Sequence, residues 1–229
     1  MTADTDIHTP HQHPKTRHVL NILAFSDLHL NHKAAENLIS QAPKADIVIG
    51  AGDFGQKGTG LARFMPVFAA LTCPFIIVAG NHDDLDELKQ HCAGQTNTQV
   101  LHGDCITLYG QAFFGLGYEC PPSNTEGWNR ALDEDTADLM LSSCPENAVL
   151  ITHAPPHGIA DQQANGFHAG SHAIYAAIMK KQPRLHLCGH IHAAWGQTGV
   201  IGTTPVHNLG PAGKIFTLPW PDSRQNEQT

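Results

Sequence analysis

The stretch HVLNILAFSDLH, residues 18–29, decides the fold. It runs almost continuously apolar over 18–26 and then breaks into Asp27-Leu28-His29. An apolar run of this length without polar alternation reads as a β-strand in a sheet covered on both faces. The pattern recurs. DIVIG at 46–50 precedes Gly52-Asp53, and PFIIVA at 74–79 precedes Gly80-Asn81-His82-Asp83. Residues 32–41, 59–71 and 84–92 carry apolar residues at helical spacing. A β-α-β-α-β rhythm of this kind predicts parallel strands joined by right-handed crossovers.

Beyond residue 100 the pattern changes. Gly103, Gly110, Gly115 and Gly117 cut 100–118 into short pieces that read as hairpins. A loop is expected at 121–127, a helix at 129–141, and a strand at 148–152 ending on His153. A Pro/Gly/His loop at 155–170 leads to a helix at 171–181 with Ser171 as its N-cap. Strands are expected at 185–188, 195–200, 204–209 and 214–218. The domain is expected to span 18–219, between a polar N-terminal tail at 1–17 and a C-terminal tail at 220–229.

The 229 residues suit one sizeable α/β domain, and 41% hydrophobic with 15% charged residues is a globular composition. A formal net charge of −8 disfavours long polyanions, so nucleic acid is not an expected partner, whereas a small anionic ester is compatible with it. The six cysteines form no C-x-x-C pair and read as scattered buried thiols. No segment has the length of a membrane span and the first residues lack a signal-peptide core, so a cytoplasmic location is expected. Histidine is the outlier, with 17 copies. His8, His11, His13 and His18 could scavenge metal, but read more simply as part of a solvated leader.

Asp27, Asp53, Asn81, His153 and His190 all fall at the carboxyl ends of predicted strands, where open α/β sheets bind ligands. Any one of these signals is weak, since Asp27 alone would read as a turn residue. Together they offer carboxylate, amide and imidazole groups, the donors of a divalent-metal pair that attacks phosphate esters. Two cations held close need an anion between them, and Asp53 is the candidate bridge. Asp27 and His29, two positions apart in a loop, can turn to one metal. Mixed N/O ligation suits Mn²⁺, Fe or Zn²⁺ better than Ca²⁺, with Mn²⁺ favoured.

The combination Asp27-Leu28-His29, Gly52-Asp53, Gly80-Asn81-His82-Asp83, Thr152-His153 and Gly189-His190-Ile191-His192 resembles the calcineurin-like metallophosphoesterase superfamily. Thr152-His153-Ala154-Pro155-Pro156, with Gly158 and Asp161, is similar to phosphoesterases related to class III cyclic-nucleotide phosphodiesterases. The resemblance implies a four-layer α/β/β/α sandwich and a dinuclear site. It implies that Asp27, His29 and His192 bind one metal and Asn81, His153 and His190 the other, with Asp53 between. It also implies that a metal-bridging hydroxide is the nucleophile, and that His82 contacts the phosphate or protonates the leaving oxygen.

Phosphoprotein phosphatases of that superfamily carry G-D-x-V-D-R-G. Here Gly52-Asp53-Phe54-Gly55-Gln56-Lys57-Gly58 lacks that Asp and Arg, which turns the expectation towards a small phosphodiester. A phosphomonoesterase, a nuclease and a metal-bound interaction scaffold are the alternatives, and the oligomeric state is open. Asp83 is expected either to orient a neighbouring histidine or to cap the helix after it. His157, Asp161 and His168 are candidate substrate contacts on a loop that otherwise reads as surface. Asn208 reads as a turn residue and Cys188 as a packed thiol.

Overall fold

The computed structural model describes residues 19–220. The histidines at 8, 11, 13 and 18 and the tail from 221 lie outside them. Two mixed sheets stack face to face. The first has five strands in the order β11-β1-β2-β3-β4: Lys214–Pro219, Val19–Phe25, Ile47–Ala51, Phe75–Val78 and Thr98–Val100. The second has six, in the order β5-β6-β7-β8-β10-β9: Asp104–Leu108, Gln111–Leu116, Val149–Thr152, Leu185–Cys188, Thr204–Asn208 and Thr198–Ile201. β1 to β4 run parallel, and β11 closes that sheet antiparallel to β1, with Val19 opposite Pro219 and Ala24 opposite Lys214.

The uninterrupted apolar runs are explained by burial on both faces. Successive strand side chains point to opposite sides. Ile22, Ala24, Ile49 and Val78 therefore meet Phe113, Val149, Ile151 and Leu187 between the sheets. Leu23, Phe25, Val48 and Ile77 face the outer layer made by helices α1 (His32–Gln41), α2 (Leu61–Phe64) and α3 (Leu85–Cys92). Phe114, Leu116 and Leu150 face α4 (Glu134–Leu141) and α5 (His172–Lys181). The result is the four-layer α/β/β/α sandwich.

Three segments depart from the sequence reading. The expected helix at 59–71 is one α-turn followed by a 3-10 stretch over Met65–Ala70, because Pro66 has no N–H to continue an α-helix. The expected helix at 129–141 starts only at Glu134, where Asp133 caps the Thr136 N–H. Residues before it are drawn into backbone pairing with Glu119: its N–H donates to Arg130 O at 3.2 Å, and Leu132 N–H donates to its carbonyl at 2.9 Å. The expected strand at 195–200 begins only at Thr198, Trp195 ending a 3-10 turn over His192–Ala194. Within 100–118 the single hairpin is β5–β6, turning through Tyr109 and Gly110, both at positive φ. All six cysteines are free thiols; Cys105 is exposed and Cys73 half-buried, not buried as expected.

Candidate functional site

The parallel strands of both sheets deliver their carboxyl ends to one edge, and seven side chains converge there. Asp27, His29, Asp53 and His192 each offer one atom, and these four atoms lie within 4.8 Å of one another. His29 Nε2 is 3.2 Å from His192 Nε2 and 3.5 Å from Asp53 Oδ2. On the other side of the same Asp53 oxygen stands His153 Nε2, at 3.4 Å. Asn81 Oδ1 lies 3.0 Å from His153 Nε2 and 3.1 Å from His190 Nδ1. Asp53 Oδ2 thus sits between two groups of donors, while Asp53 Oδ1 is occupied by the His82 N–H at 2.9 Å.

Bringing these groups together costs backbone strain. Asp27, His29, Asp53 and His190 all have left-handed φ, between 43° and 69°, a conformation that non-glycine residues adopt sparingly and that clusters at functional sites. It is this kink after each strand that turns Asp27 and His29 towards the same point. The motif glycines permit the approach. A β-carbon at Gly80 would overlap the Asp53 carboxylate, and one at Gly189 would overlap Ser26 and Asp27. Phe54, buried directly after Asp53, meets Phe25 and Phe68 edge-on at 6.0 and 5.9 Å and anchors the loop in the core. Losing such a buried aromatic costs about 3–5 kcal/mol.

Three of the converging side chains are oriented from behind. His153 Nδ1–H donates to Ala51 O at 2.8 Å, leaving Nε2 facing Asp53. His29 Nδ1 lies 3.3 Å from Gly55 O. Asp27 Oδ2 accepts from Trp195 Nε1 at 2.9 Å, from the Ser26 hydroxyl and from the His190 N–H. Asn208 is no plain turn residue. Buried, its Nδ2 donates to Ala160 O at 2.9 Å and Gly189 O at 3.0 Å, clamping the Gly189–His192 segment. Cys188 is the packed thiol expected, buried beside His207, with burial pushing its pKa well up.

The electrostatics of the cluster turn on the pairing of the Asp53 carboxylate with the His153 imidazole. Burial works against ionisation of Asp53, yet the imidazole of His153, with those of His29 and His82, holds its carboxyl well below the usual carboxylate range. Burial likewise works against a charged His153, but the Asp53 carboxylate outweighs it and lifts the imidazole to about 10. A proton on His153 therefore lies where a cation between Asp53 and Asn81 would replace it. Burial and the neighbouring His153 push His190 down to about 3, into the neutral form that metal ligation needs. Nitrogen and oxygen donors, a carboxylate oxygen shared between two sets, and imidazoles locked from behind fit a pair of divalent metals.

His82 stands beside this cluster. Its ring meets His29 at 4.7 Å and Trp128 at 4.6 Å, and the Lys57 N–H donates to its Nδ1 at 2.9 Å. Asp83 fills neither role expected of it. Fully buried, it accepts the backbone N–H of Gly55 at 2.7 Å on Oδ1, and those of Gly80 at 2.8 Å and Phe54 at 3.2 Å on Oδ2. The helix cap is Asp84, which accepts from Asp86 and Glu87. His157 is not drawn into the cluster: it stacks on His172 at 4.0 Å. Asp161 brackets its own loop, taking the N–H of Gly158 and Gly170 and pairing with His168 at 2.6 Å.

Sequence reasoning passed over Glu119, Asn129, Trp128 and Trp195. Glu119 is wholly buried with Oε2 3.5 Å from His190 Nε2, and Trp195 leans on His192 at 4.4 Å.

A model of the calcineurin-like phosphoesterase family matches residues 20–194. The chain is 27% identical over 252 residues to human metallophosphoesterase domain-containing protein 1, covering 95% of this chain and 76% of that one. It is also 27% identical over 197 residues to a Synechococcus protein named as a probable cyclic nucleotide phosphodiesterase, covering 78% and 75%. A crystal structure of a Danio rerio dimetal phosphatase superposes with a TM-score of 0.60 at 12% identity, covering 89% of this chain and 93% of that one.

Proposed function

Because this chain belongs to the calcineurin-like phosphoesterase family and is thereby a metal-dependent hydrolase of phosphate esters, we propose that it uses two divalent metals to cleave a small phosphodiester. The observation that carries the two-metal reading is the position of Asp53 Oδ2, 3.5 Å from His29 Nε2 and 3.4 Å from His153 Nε2. Asp27, His29 and His192 would hold one metal, and Asn81, His153 and His190 the other, with Asp53 shared. Such a pair supplies Lewis-acid stabilisation of phosphoryl charge and a water of lowered pKa. Manganese is the metal we favour.

The chain's own residues supply the rest. The carbonyls of Ala51 and Gly55 fix the rings of His153 and His29, and Trp195 and Ser26 fix Asp27. His82, with Nδ1 taken by the Lys57 N–H, presents Nε2–H as a hydrogen-bond donor to a phosphoryl or leaving-group oxygen. The preference for a diester rests on the cations near the site. A monoester dianion gains most from Arg or Lys clamps on its spare oxygens. Here the Arg130 guanidinium is paired with Asp84 at 2.8 Å, and Lys57 Nζ lies 5.5 Å over the Trp128 ring. The name of the Synechococcus relative supports the same substrate class.

The test compares kcat/KM for bis(p-nitrophenyl) phosphate, p-nitrophenyl phosphate and a cyclic nucleotide at one Mn²⁺ loading. The diesters are expected to lead. A monoester preferred by more than about tenfold, roughly 1.4 kcal/mol of transition-state binding, would overturn the substrate class and leave the metal reading standing.

A further inference from the structure

We infer that Glu119, acting through Asn129 as well as directly, is the positioning residue for one of the two metal positions and not the other. The inference rests on the two-metal reading above. Glu119 belongs to none of the converging motifs. It lies beyond the end of β6, wholly buried, and a carboxylate in that setting is costly unless its oxygens are paired.

Both oxygens are engaged, and Oε2 also accepts from the Ser123 hydroxyl at 3.0 Å. Oε2 lies 3.5 Å from His190 Nε2. The other nitrogen of that ring, Nδ1, is the one beside Asn81 Oδ1, at 3.1 Å. An imidazole whose far nitrogen faces a carboxylate carries its proton there and turns the lone pair of the near nitrogen to the metal side, the arrangement that fixes ring orientation and raises ligand basicity. Oε1 accepts from the Ser123 N–H at 2.6 Å, from the Ser123 hydroxyl at 3.0 Å and from Asn129 Nδ2.

Asn129 carries the orientation further. With its Nδ2 spent on Glu119, its Oδ1 accepts from Asn81 Nδ2 at 2.8 Å. That bond settles which end of the Asn81 amide points inward: Oδ1 faces His153 and His190. One buried carboxylate therefore aims both His190 and Asn81. The opposite position has separate supports, since Asp27 is held by Ser26 and Trp195 and His29 faces Gly55 O. The backbone pairing of Glu119 with Arg130 and Leu132 holds Asn129 in reach.

Mn²⁺ is titrated into metal-free wild type, Glu119→Gln and Asn129→Ala, with bound ions counted by elemental analysis and affinities read by calorimetry. His153→Ala and His29→Ala mark the two positions. Glu119→Gln is expected to weaken one ion about 10–100-fold, the ion that His153→Ala removes, and to leave the other within about twofold. Asn129→Ala should weaken the same ion by less. Should Glu119→Gln fail to fold, the Asn129→Ala titration decides. Equal weakening of both ions, or none, overturns the inference, as does outright loss of an ion that would make Glu119 itself a ligand. Fewer than two ions on wild type overturns the two-metal reading, and this inference with it.

Discussion

The backbone N–H of Lys57 donates to Nδ1 of His82 at 2.9 Å, which leaves the proton of a neutral His82 ring on Nε2. The bond cannot coexist with a protonated Nδ1. Burial pushes the His82 pKa below its ordinary 6.5, and the rings of His29, His153 and His192 add to the effect against the pull of Asp53. In the proposed reaction, His82 would therefore present a neutral Nε2–H to the phosphoryl or leaving-group oxygen.

His82→Ala should therefore lower kcat by about 10²–10³-fold, the range seen when one such donor is removed. Both metals should stay bound, because His82 supplies no ligand atom to the cluster. In wild type, the acid limb of kcat due to His82 should lie below pH 6.5, since protonation breaks the Lys57 bond. Loss of a metal in His82→Ala would show that the role assigned to it is wrong.

Asp53→Asn should lose metal and activity together. The substitution keeps the shape but removes the charge that sits between the two donor sets. Metal content and kcat/KM on the same preparation check this, and a fully loaded but inactive variant would contradict it.

Asp83→Ala should destabilise the protein without touching a substrate. It strips the acceptor from three backbone N–H groups, those of Phe54, Gly55 and Gly80, around a buried carboxylate. Each buried donor left unpaired costs about 1–3 kcal/mol. Chemical denaturation should show a loss of at least about 3 kcal/mol, and a change under 1 kcal/mol would argue that water replaces the carboxylate.

Acid should unfold the protein through its buried histidines. Burial and the nearby His207 push His186 from 6.5 down to about 3; burial and Lys214 push His207 down to about 4. Between pH 6.5 and 3 the unfolded chain binds the proton that folded His186 refuses, so stability falls as pH falls, complete above 6.5 and exhausted near 3. The slope is about 1.4 kcal/mol per pH unit for one proton. His186→Leu should flatten the melting-temperature profile over that window, and an unchanged profile would rule His186 out.

The parts of the site legible in the sequence share a local signature. Asp27, Asp53, Asn81, His153 and His190 each follow an apolar run, so strand position and chemistry can be read together. Glu119 and Asn129 lack that signature. Glu119 follows the glycine-cut segment read only as hairpins, and Asn129 lies where helical spacing misleads. Their meaning comes from contacts with His190 and Asn81, far away in the chain, and no periodicity encodes such pairing. Asp83 was legible as a polar residue beside the site, expected to orient a histidine or cap a helix, but its bracing role depended on where the Phe54–Gly55 backbone would run.

The antiparallel pairing of β11 with β1 sets the order in which the chain can be completed. Of the strands described, β1 is made first and β11 last, so the Val19–Phe25 edge waits, unpaired and apolar, until Lys214–Pro219 is available. An exposed strand edge of that kind invites intermolecular pairing. A nascent chain stalled in the loop after β10 would carry most of the α/β architecture together with an open, self-adhesive seam, and would be a client for chaperones before it could act on any ester.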